Sequence, residues 1–144
     1  MAALDKNQIQ KDITLFNSLW DKWMEVLGKR IPTLADSFVQ IQNKLFALQQ
    51  REGVEYPVQY FQQFAGPYLQ MIFKKQTEFF EKVYQDTEGN CLPKDFVQYY
   101  DTLSEQDQQH VWTTLEKLLE LAGRVNRDFA TICQDVREKV ELAE

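Results

Sequence analysis

Apolar residues near the C-terminal end of the chain fall at Val111, Leu115, Leu118, Ala122, Val125, Phe129, Ile132 and Val136, in alternating steps of 4 and 3 residues. That spacing keeps one narrow stripe on a single side of an α-helix, and it predicts a long C-terminal helix lying against other helices. Ser104, with Asp107 three residues later, suits the start of that helix. Gly123 falls inside it, yet the stripe passes through the glycine without a slip. One continuous, bent helix of roughly 38 residues, about 55 to 60 Å long, is therefore expected.

The same periodicity recurs upstream. Ile9, Ile13, Phe16, Trp20, Trp23 and Leu27 mark a first helix, shouldered by Leu15, Leu19 and Val26, with Gly28 placed to end it. Thr33 and Asp36 resemble a capping box with Asp in place of Glu. They would open a second helix along Leu34, Phe38, Ile41, Leu45 and Leu48, ending near Gly53. Pro57 suits the first turn of a third helix, whose face runs through Val58, Phe61, Ala65, Tyr68, Ile72, Phe79 and Val83 and is interrupted by Lys75. Gly66-Pro67 lies within that stretch and predicts a kink or break. Residues 85–93, with Gly89-Asn90, read as a loop, and residues 94–100 as a short helix. No run alternates with period 2, so no strand is expected.

The elements assemble into an all-α fold: an antiparallel helical bundle of about four main helices with heptad seams, the third counted as one, plus a short extra helix. Its 144 residues suit a single domain over 1–144. A last helix longer than its neighbours would protrude. Val125, Phe129, Ile132 and Val136 would then be free for a partner helix, either another protein's or a second copy's in a homodimer.

Charge and cysteine content narrow the function classes. A net charge of −6 disfavours a nucleic-acid partner, which is held through clustered Lys and Arg. Cys91 and Cys133 are too few for a disulfide framework and too far apart for a zinc or thioredoxin motif. The polar start lacks the pattern of a secretory signal, and no apolar run has the roughly 20 residues of a membrane span. The expectation is a soluble, cytoplasmic protein without a transmembrane segment.

Catalytic constellations are missing from the pattern. A di-iron bundle needs two Glu-x-x-His motifs, and the chain has a single histidine, His110, preceded by Asp107 at the i−3 position. Asp at the first turn of a helix is explained by its dipole, and His110 reads as a surface residue. Neither cysteine has a spacing that pairs it with His110. The five glycines are isolated, and no phosphate loop is present. No metal, cofactor or catalytic residue is assigned, and an enzyme is not expected.

What remains is aromatic amphipathicity: ten Phe, six Tyr and three Trp. These rings either close on one another as core or lie on an apolar surface with the neighbouring amides in water. For the second role the candidates are Trp20, Trp23, Phe61, Phe64, Phe79 and Phe80. The stretch Pro57-Val58-Gln59-Tyr60-Phe61-Gln62-Gln63-Phe64, continuing through Pro67-Tyr68 to Phe79-Phe80-Glu81-Lys82, resembles phasins, small helical proteins that coat bacterial polyhydroxyalkanoate granules. The likeness covers roughly residues 34–84. It implies a non-enzymatic coat protein that binds an apolar polymer or lipid-like surface and self-associates through coiled-coil segments. The other expectation is a helical adaptor, chaperone or complex subunit that uses the C-terminal seam.

Overall fold

The structure is a computed structural model, and residues 6–143 are described. Residues 1–5, which begin the polar start read above, lie outside the described residues. All regular structure among the described residues is helical.

Helix α1 spans Lys6–Arg30 and continues two residues past Gly28. Its end is set by Pro32, which forces the preceding Ile31 out of helical geometry (φ −126°, ψ 76°). Gly28 does not end the helix, and a Cβ there would meet the Ala35 Cα at an ordinary 3.6 Å. Pro32–Leu34 form a 3₁₀ turn that leads into α2, Ala35–Glu52. Thr33 is already inside that turn, so the expected capping box does not form, and α2 begins without a side-chain cap. Gly53 ends it in a left-handed conformation (φ 108°).

The expected third helix is three pieces. Helix α3 (Tyr56–Ala65) meets a 3₁₀ turn at Gly66–Tyr68, as the Gly66-Pro67 pair predicts, and α4 (Leu69–Phe73) follows. Lys75, at φ 56°, then turns the chain into α5 (Glu78–Thr87). After the Gly89-Asn90 loop comes the short α6, Phe96–Tyr100. Ser104 caps α7 (Glu105–Val125), its hydroxyl accepting from the Asp107 N–H at 3.1 Å.

The continuous C-terminal helix is corrected. Helix α7 does run through Gly123, but it stops at Val125, and α8 (Arg127–Ala143) folds back upon it. The break falls on Asn126, which is extended (φ −133°, ψ 105°). Its Oδ1 accepts from the N–H groups of Asp128 and Phe129 at 3.1 and 3.4 Å, while its own N–H donates to the Ala122 carbonyl. One residue thus closes one helix and caps the next, using the amide chemistry that favours Asn at N-caps. Gln62 of α3 holds the corner, donating to the Ala122 carbonyl at 3.3 Å and accepting from the Asn126 amide.

Helix α1 packs most extensively on α7 and α2, and α8 covers α7 and α4. Arg124 bridges α7 to the buried Asp12 of α1, which also accepts from Gln8. One core runs through the interior. Among the described residues no helix is long and apolar enough to cross a membrane.

Candidate binding cleft

The six surface-binding candidates are all interior. Trp20 and Trp23 are 2% and 6% exposed, Phe61, Phe79 and Phe80 1% each, and Phe64 7%. Edge-to-face contacts join Trp20 to Phe16, Phe61 and Phe64 at centroid distances of 5.8 to 5.9 Å. Farther along, Phe80 stacks on Trp112 at 4.9 Å and meets Phe79 and Phe96 edge-on. Among the described residues these six rings form no exposed face, because helices α1, α3, α5 and α7 turn them toward one another.

The partner-helix candidates are divided by the fold-back. Phe129 is buried against Gly66, Val125 and Val136 are half-buried, and Ile132 is 51% exposed. On α8 the inward stripe is Phe129, Cys133, Val136 and Val140, which leaves Ile132 out of the contact. Gly123 receives Ala130 so closely that a Cβ on the glycine would lie 3.0 Å from the Ala130 Cβ.

Side chains with chemistry are held in quiet settings. Burial pushes the Cys91 thiol up to about 12, partly opposed by hydrogen bonding from Tyr60 and Thr87. Burial, with Cys91 alongside, pushes the Tyr60 phenol up to about 12. Burial likewise raises Cys133 to about 11 against the opposing charge of Arg137. A thiol raised in this way is a poor nucleophile at neutral pH. Asp107 pairs with Arg30 at 3.6 Å, and His110 is exposed. Among the described residues no three His, Cys, Asp or Glu side chains gather as a metal site.

A concavity of about 230 Å³ lies between α1, α2 and the start of α3, smaller than those of about 400 and 430 Å³ elsewhere on the surface. Asn17, Ser18 and Asp21 of α1 face Gln42 and Gln49 of α2 across it, with Trp20 and Phe46 as its apolar surfaces. Gln42 spans the helices, its amide donating to both the carbonyl and the carboxylate of Asp21 at 3.1 Å. Asn17 donates to the Val54 carbonyl at 2.8 Å, which pins the α2–α3 loop to α1. Its Oδ1, however, is buried without a partner, and so is the Trp20 indole N–H. Buried polar atoms without partners are exceptional in native structures, and two of them here belong to residues that line one cleft. Trp112 shows the usual arrangement, its indole donating to the Tyr100 hydroxyl at 2.7 Å.

Phe46 is 61% exposed, and Val39, one heptad earlier on α2, is 51% exposed. Neither belongs to the sequence-predicted candidates. A usable signal was present all the same: both fall off the α2 stripe of Phe38, Ile41 and Leu45, where polar residues belong. No family model, no curated protein and no solved structure matches the chain, so the cleft is interpreted from its own residues.

Proposed function

We propose that this chain is a non-enzymatic helical binding protein whose ligand is a polypeptide segment seated in the α1–α2 cleft. The observation that carries the reading is Phe46, a large ring left in water beside a cleft lined by the polar side chains of Ser18, Asp21, Gln42 and Gln49. A peptide group has an N–H and a C=O, which the accessible polar lining of Ser18, Asp21 and Gln49 can accept from and donate to. An apolar side chain of the ligand would cover Phe46, and aromatic residues are the usual anchors of such contacts. Asp21 is the one charged residue of the lining, which favours neutral or cationic segments over acidic ones.

The test is selection of a random peptide library on the purified protein, followed by affinity measurement against Phe46→Ser. Because Phe46 is mostly exposed, its replacement should leave stability within about 0.5 kcal/mol. It should weaken the selected peptides at least about ten-fold. Selected peptides that bind Phe46→Ser as tightly as the unaltered chain, or a library that yields none, would reject the cleft.

A second reading is the phasin-like coat, in which the bundle opens on an apolar polymer or lipid-like surface. What favours it is the pair of buried, unpartnered indole N–H groups of Trp20 and Trp23. Such groups suit a boundary where the ring is apolar and the N–H is wet. The turns at Gly66–Tyr68 and Lys75 supply points about which α3, α4 and α5 could part. Purified protein would be floated with apolar polymer particles under excess albumin while amide exchange is followed in α1 and α3. Flotation with accelerated exchange in both helices is the expected result; protein that stays behind, or floats with unchanged exchange, rules out opening.

A further inference from the structure

We infer that α8 is an exchangeable arm, and that two copies of this chain form a dimer in which α7 and α8 straighten into one helix and each α8 seats on the other copy. Three observations carry the inference independently of the cleft. First, the hinge between α7 and α8 is the single residue Asn126. A hinge this short, with a packed element beyond it, is the usual setting for exchange of identical elements between copies.

Second, the heptad phase runs unbroken across the hinge, from Ala122 and Val125 to Phe129, Ile132 and Val136. The folded-back form uses only part of that phase: it turns Phe129 and Val136 inward with Cys133 and Val140, and leaves Ile132 51% exposed. A continuous helix would restore Val125 and Ile132 to one stripe. Two such helices meeting near their hinges would cover that stripe with each other.

Third, the seat of α8 is specific. Gly123 admits Ala130, and a Cβ of its own would crowd the Ala130 Cβ at 3.0 Å. Arg137 lies over the Phe73 ring at 4.7 Å. Every one of these contacts is regained when the arm comes from a second copy, so exchange changes only the hinge. There the straight form gives up the two hydrogen bonds accepted by the Asn126 side chain and the one its amide donates to Gln62. In return the N–H groups of Arg127, Asp128 and Phe129 gain helical carbonyl partners at the i−4 positions.

The hinge sets the balance between the two forms. Asn126→Ala removes the cap and substitutes a better helix former. From the usual worth of an N-cap, the dimer association constant should rise about five-fold per chain, or roughly thirty-fold for two. A Gly-Ser-Gly-Ser insertion after Asn126 frees the corner and should remove the dimer.

Light scattering over a concentration series, after refolding at high concentration, measures the populations. To identify the geometry, Lys117→Cys and Gln134→Cys, both at exposed positions, are spin-labelled in a Cys133→Ala chain and diluted with unlabelled copies. Cys91 is buried and does not compete for label. In a straightened helix the labelled positions are 17 steps apart, a separation of about 26 Å. In the folded-back hairpin the two backbones are one helix diameter apart, roughly 10 Å. A dimer with the long distance, strengthened by Asn126→Ala, is the expected result. A dimer that keeps the short distance is an ordinary side-by-side pair and overturns the exchange, as does a chain that remains monomeric in the Asn126→Ala form.

Discussion

Tyr60 and Cys91 show how burial brought about by distant segments changes what a side chain can do. Both groups hold their protons more tightly than they would in water, at about 12 against ordinary values of 10.0 and 9.0. In the unfolded chain the thiol loses its proton near pH 9, whereas in the folded chain it keeps it. Above pH 9 the unfolded state therefore binds fewer protons, and stability falls as pH rises. The contribution is fully present below pH 9 and lost by about pH 12, with a slope of at most about 1.4 kcal/mol per pH unit for each proton. Urea denaturation at pH 8, 10 and 11 should show this decline, and Cys91→Ala should flatten it. Equal slopes for the two proteins would mean that the thiol does not titrate between the states. Nothing in the local sequence signals this pair, because Tyr60 and Cys91, 31 positions apart, meet only when α3 and the loop after α5 come together.

At the scale of the element, two similar sequence signals have opposite outcomes. Ser104 with Asp107 and Thr33 with Asp36 both read as helix starts, but only the Ser104 hydroxyl accepts a backbone N–H. Pro32 begins its turn one residue before Thr33 and removes the extended conformation an N-cap needs. Ser104→Ala should accordingly cost about 1 kcal/mol, while Thr33→Ala should stay within about 0.5 kcal/mol. Thermal unfolding of the two variants side by side checks this, and equal losses would contradict the assignment. The break at Pro67 was legible because it breaks a local rule, whereas Lys75 read only as an interruption of one helix's stripe and proves to be a turn. The break at Asn126 was not legible. Its neighbours keep the heptad phase, and the corner depends on Gln62, which is 64 residues away in sequence.

For the whole molecule, the apolar pattern determined that the chain is all-helical and where most of its helices lie. It also determined which face of each one seeks the interior. Those properties follow from spacing within one turn or two, and the physics that reads them is local. It could not decide whether the aromatics are core or surface, because a ring on an amphipathic face satisfies the same periodicity in either role. Tertiary packing decided this, closing Trp20, Trp23, Phe61, Phe64, Phe79 and Phe80 into the interior and leaving Phe46 outside. It also decided the direction of α8, where a continuous helix and a folded-back one share one stripe. The difference between them lies in whether Gly123 receives Ala130 and Gln62 reaches Asn126, contacts that exist only once distant segments meet.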